Sequence, residues 1–65
     1  MKRFIRLIGQ GADIVYRGKP GAVYELVRMA GIPEHPIAVI RAYESLFQPP
    51  RLYHLPPTCY EEIEP

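Results

Sequence analysis

The chain has 65 residues, 48% of them hydrophobic and 23% charged, with net charge +1; this describes one soluble domain with room for a single core. A chain this short buries only about 60% of the surface that its unfolded form exposes, so it needs a staple. The lone cysteine, Cys59, excludes an intrachain disulfide or a cysteine-cluster zinc site, and no apolar run reaches the length of a bilayer span. The staple that remains is another polypeptide, either a second copy in a homodimer or a larger partner.

Taken in order, Lys2 to Ile8 reads as a strand. Phe4, Ile5, Leu7 and Ile8 fit a short helix face equally well, but Gly9-Gln10-Gly11 reads as a hairpin loop and Ile14-Val15-Tyr16 as its β-prone partner. Ile5, Leu7, Ile14 and Tyr16 would lie on the elements that follow, because a two-stranded ribbon is unstable alone. The basic start Met1-Lys2-Arg3 is not followed by a small-residue cleavage site, so a signal peptide is not expected and a cytoplasmic setting is.

Two helical periods follow, Ala22 to Ala30 and Pro36 to Phe47, joined by a hinge from Gly31 to His35. At about 100° per residue, Ala22, Val23, Leu26, Val27, Met29 and Ala30 share one side of the first. Pro20 suits its first turn and Gly31 a left-handed cap at its end. In the second, Val39, Ile40, Ala42, Tyr43, Leu46 and Phe47 spread over roughly 200°, more than one neighbouring helix can cover. Pro49 and Pro50 end it.

From Gln48 onward five prolines leave an extended, polyproline-like tail. Its Leu52, Tyr53, Leu55, Tyr60 and Ile63 either pack back on the domain or form a strap on a partner. The expectation is therefore an α+β fold: residues 1–48 as a compact β-hairpin plus two-helix hairpin, and residues 49–65 as a proline-rich extension. Charge is uneven along it, six basic against two acidic side chains in residues 1–33 and two against five in residues 34–65.

Motifs for chemistry do not assemble. Gly11, Gly18 and Lys19 lack the spacing of a phosphate loop, and Pro20 stands where the magnesium-binding hydroxyl belongs. Gly9-Gln10-Gly11 is a lone G-x-G. His35, His54 and Cys59 have no short ligand spacing for a metal, and a Cys59–His54 pair lacks the third group and dry pocket that nucleophilic catalysis requires. No catalytic residue, metal, cofactor, small-molecule substrate or membrane contact is expected.

The stretch from Tyr16-Arg17-Gly18-Lys19 through Tyr24 to Gly31-Ile32 resembles small helix-turn-helix modules of phage and mobile-element proteins. Leu26, Ala30, Gly31, Ile32, Ile37 and Ile40 match the apolar and glycine positions of that pattern. The resemblance implies a recognition helix over Pro36 to Phe47 and DNA contacts from Lys2, Arg3, Arg6, Arg17, Lys19, His35 and Arg41. It makes a DNA-binding transcriptional regulator the alternative function.

The leading expectation is a non-catalytic protein-binding module that acts by occupying a surface, as an inhibitor, adaptor or accessory subunit does. Val39, Tyr43, Leu46, Phe47 and Tyr53 would anchor the partner, with Arg41 and Arg51 at the polar rim.

Overall fold

In the computed structural model, which describes residues 2–45 and 47–64, the chain forms one five-stranded antiparallel sheet. Strands β1 (Phe4–Leu7), β2 (Val23–Ile32), β3 (His35–Ala42), β4 (Arg51–Leu55) and β5 (Tyr60–Ile63) lie in the order β4-β3-β2-β1-β5. A single turn of helix, α1 (Gly11–Ile14), interrupts the long connection from β1 to β2.

The architecture follows from β2, which at ten residues is long enough to serve two neighbours. Its first part pairs with β1, Arg6 opposite Val23 and Phe4 opposite Glu25. Its second part pairs with β3, from Leu26 opposite Ile40 to Ile32 opposite His35. A bulge between Leu26 and Arg28 falls at the changeover. Bulges bend a strand and increase its twist. Ile5 and Leu7 from β1 share a core with Ala38 and Ile40 from β3 and Leu55 from β4. Val15, beyond α1, and Cys59, before β5, close the same cluster.

The expected helical hairpin is overturned. Ala22 to Ala30 lies largely in β2, and Pro36 to Phe47 supplies β3 and the loop after it; α1, with four residues, is the sole helix among those described. There is accordingly no helix-turn-helix, and the stretch assigned to a recognition helix begins as a central strand of the sheet. The bulge is the physical reason for the first misreading. Leu26 and Met29 both face the core side across it, so an extra residue gives an apolar spacing of three, the mark of a helix. In β3 the reason is burial on both faces. Ala38, Val39 and Ile40 are all enclosed, which erases the alternation that marks a half-exposed strand.

The punctuation residues act, but in hairpins. Pro33 and Glu34 form the tight turn between Ile32 and His35, where proline presets the backbone angle of a turn's second residue. The expected pairing of Lys2 to Ile8 with Ile14-Val15-Tyr16 does not form: β1 pairs with β2 and β5, and Ile14 and Tyr16 are exposed. Residues 49–65 supply β4 and β5, so Leu55 and Tyr60 join the core or its margin. No helix among the described residues is long and apolar enough to cross a membrane.

Two ion pairs tie the terminal strands together. The Arg3 guanidinium donates to both Glu62 carboxylate oxygens, at 2.6 and 2.7 Å, and Arg6 Nε donates to Glu61 at 2.8 Å. Arg6 and Glu61 stand directly opposite in the ladder. Exposed pairs of this kind contribute modestly, but the bidentate geometry of Arg3 holds the Glu62 carboxyl below its ordinary range, through the hydrogen bond first and charge attraction second.

Two predictions follow from these features. Because Glu62 is held low, its contribution to stability is present above its unfolded-state value and is lost as pH falls through the lowered folded value. Amide exchange in β5 should accelerate on acidification across that window, and Glu62→Gln should flatten the dependence. Gly21 and Gly31 both adopt left-handed backbone, at φ 83° and 80°, but a Cβ at Gly21 would meet nothing, whereas at Gly31 it would lie 2.5 Å from the His35 carbonyl oxygen. Gly21→Ala should cost about 1 kcal/mol in denaturant unfolding, the backbone penalty alone, and Gly31→Ala should cost about 1–3 kcal/mol more for the forced overlap.

Candidate functional site

The sheet's own core ends at Ala42, and the chain then leaves the ladder for eight residues, 43–50, before β4 begins. This loop carries the most solvent-exposed large apolar side chain described: Phe47 is 96% exposed, and Tyr43 is 69% exposed. Two prolines, Pro49 and Pro50, stiffen its return.

The loop is held to the body through the Glu44 carboxylate. Tyr53, on β4, packs its ring against the core cluster. Its hydroxyl donates to Glu44 Oε1 at 2.6 Å and accepts the backbone N–H of Tyr16 at 3.4 Å. Arg51 Nη1 lies 3.1 Å from the same Glu44 oxygen. Three separate segments, the loop after α1, the β3–β4 loop and β4, therefore meet at Tyr53. Phe47 N–H donates to Ser45 Oγ at 3.1 Å, a short-range bond that shapes the loop's tip. The Glu44 carboxylate raises the Tyr53 hydroxyl above its ordinary pKa, mainly by accepting its proton in a hydrogen bond and secondarily with burial.

Arg17 extends the same end of the molecule. Its guanidinium lies 5.4 Å from the centre of the Tyr16 ring, within cation–π range. Arg17 also holds a left-handed backbone at φ 56°, a conformation that costs a non-glycine residue on the order of 1 kcal/mol. Tyr16, Arg17, Tyr43, Phe47 and Arg51 thus form an aromatic and arginine-bearing end, ordered around Tyr53 and Glu44.

Two shallow concavities flank this frame. One, about 290 Å³, is lined by Glu44, Gln48, Pro49, Pro50 and Arg51. The other, about 370 Å³, lies at the β2 bulge between Lys2, Arg3, Glu25 and Arg28. Neither lining contains a histidine, a cysteine or a hydroxyl nucleophile. Among the described residues no three of His, Cys, Asp or Glu come together as a metal-holding group. Cys59 is a buried free thiol in the core, and His54 is exposed on β4.

Of the expected anchors, Tyr43 and Phe47 stand exposed on the loop, Arg51 braces it, and Tyr53 holds it from below. Val39 is elsewhere: it is completely enclosed within β3, between Arg28 and His54 in the register, so its side chain is not available as an anchor. Arg41 points from the face of the sheet opposite the core, paired with Leu52. Leu46 lies outside the described residues. The structure places the residues assigned to DNA contact in several elements. Arg3 and Arg6 are engaged with Glu62 and Glu61, Arg17 stacks on Tyr16, His35 follows the β2–β3 turn, Lys2 lines the bulge cleft, and Lys19 is exposed in the β1–β2 connection.

Sequence reasoning missed Glu44 and Tyr16 as parts of this end. Their connection runs through Tyr53, 37 residues from Tyr16, and no local period joins positions so far apart. No family model matches the chain, and neither a curated protein nor a solved structure matches it.

The Tyr53–Glu44 bond is testable by titration. The protonated hydroxyl is favoured, so the link persists below the ordinary tyrosine range and is lost as pH rises through the raised value. Glu44→Gln should move one tyrosine's titration, followed by tyrosinate absorbance, to lower pH. Tyr53→Phe should accelerate amide exchange in residues 43–48 by about fivefold, the worth of one hydrogen bond.

Proposed function

We propose that this chain is a small non-catalytic protein-binding module that works by occupying a partner's surface, as an inhibitor, adaptor or accessory subunit. The observation that carries this reading is Phe47, 96% exposed beside exposed Tyr43 on a loop that is itself tied down. Leaving a phenylalanine in water forfeits roughly 1.5–3 kcal/mol of burial, and docking on another chain recovers it.

Supporting chemistry surrounds it. Tyrosine, phenylalanine and arginine are the residue types enriched at the energetic centres of protein interfaces. The Tyr53–Glu44–Arg51 bridge orders the loop before any partner arrives, which lowers the entropy lost on binding. A reducing, cytoplasmic setting accords with Cys59 as an unpaired, buried thiol.

Site-specific photocrosslinking tests the proposal. A photoreactive phenylalanine analogue at position 47 should yield a discrete polypeptide adduct in cells of the native host. The same analogue at position 34, in the turn before β3 and so at that strand's opposite end, should not. Tyr43→Ala should reduce the adduct, and Phe47→Ala should weaken the isolated complex by about 2 kcal/mol. Sedimentation separates a foreign partner from a second copy by its dependence on concentration. Adducts that are the same from both positions, or that are nucleic acid, would overturn the reading.

A further inference from the structure

The face of β2, β3 and β4 turned away from the core carries a different chemistry from the aromatic end. Alternation puts Ala38, Ile40 and Ala42 on the core side of β3, so Ile37, Val39 and Arg41 occupy the other. The register then sets Arg28, Val39 and His54 in one row across three strands, with Arg41 beside Leu52 in the next. Neighbouring strands lie about 4.8 Å apart and alternate residues about 7 Å apart along a strand, so both arginines stand within reach of one short segment laid on the sheet.

From this arrangement we infer a second docking surface, built for an acidic, amphipathic polypeptide segment. Charge complementarity identifies the occupant. Among the described residues, Arg28 and Arg41 have no carboxylate partner, whereas Arg3, Arg6 and Arg51 are matched to Glu62, Glu61 and Glu44. The paired positions of the two rows hold no carboxylate, and Glu25, one residue before Leu26 on β2, borders them. Lys2 extends the positive surface at the bulge cleft, where Glu25 is the single acid in the lining. Guanidinium groups bind carboxylates with paired, directional hydrogen bonds, and Leu52, beside Arg41 on β4, and Ile37, beyond Val39 on β3, supply aliphatic surface at the margins.

The same rows disfavour a nucleic acid. Single strands are held by several aromatic side chains on which successive bases stack; His54 is the one aromatic ring in these rows, and Tyr53 turns its ring to the core. Phosphate contacts alone would leave Leu52 and Ile37 without a role.

Fluorescence anisotropy of the full chain tests the inference with three labelled probes: an amphipathic peptide of glutamate, leucine and alanine, the same peptide with glutamine for glutamate, and oligouridylate. The acidic peptide should bind, and Arg28→Gln with Arg41→Gln should weaken it by about tenfold, as the loss of two partly exposed charge pairs requires. Phe47→Ala should leave this binding unchanged, which separates the surface from the aromatic end and its fate from that of the proposed function. Both arginines are exposed, and circular dichroism checks that the double variant is folded. No binding of the acidic peptide, equal binding of the glutamine peptide, insensitivity to the arginine variant, loss on Phe47→Ala, or tighter binding of oligouridylate would each overturn the assignment.

Discussion

Strand β2 pairs with β1 through its first residues and with β3 through the rest, and a 65-residue chain has little beyond this sheet with which to cover a core. The extra residue between Leu26 and Arg28 falls where the strand changes neighbours, and a bulge bends and twists the strand that carries it. Ile5 and Leu7 of β1 share one core with Ile40 of β3 and Leu55 of β4, which Val15 and Cys59 close. Without it, a sheet of this size would expose one apolar face along its whole length, and a chain this small has little stability to lose.

The folded core also fixes where function can reside. β3 is an interior strand, and its Ala38, Val39, Ile40 and Ala42 are buried, so those residues are committed to the fold. The apolar side chains left exposed lie mainly where the chain leaves the ladder or at its margins: Tyr43 and Phe47 after β3, Tyr16 after α1, Leu52 on the edge strand β4. Tyr53 connects the two regimes. Its ring packs against the core and its hydroxyl donates to Glu44 of the surface loop, which links the loop to the sheet.

Electrostatics divides the surface further. Acidic β5 is matched to Arg6 of β1 and to Arg3 just before it, which stabilises a sheet edge and discourages another strand from pairing there. The outer face of β2–β4 has arginines without such matching. Uneven charge along the chain thus becomes two distinct features in space: a self-neutralising edge and a positive face.

Several things were legible from the residues alone. Length and composition bounded the chain to one small core, the β-prone Phe4 to Leu7 run marked β1, and Gly31 and Pro33 marked a sharp reversal. Tyr43, Phe47 and Arg51 were already notable as an aromatic and cationic group, though assigned to the end of a helix and the tail beyond it. What the chain could not disclose locally was whether Val39 and Ile40 were a helix flank or a doubly buried strand, because a continuous apolar run carries no period of its own. The abundance of β-branched residues there, Ile37, Val39 and Ile40, was the available signal for a strand. Sequence by itself determined the size of the core and the places where the chain must turn, since these depend on composition and on backbone freedom at single residues. Tertiary structure alone decided which apolar residues remain in water, because exposure depends on the bulge in β2 and on the distant pairing of Tyr53 with Glu44 and Tyr16, contacts that no local spacing encodes.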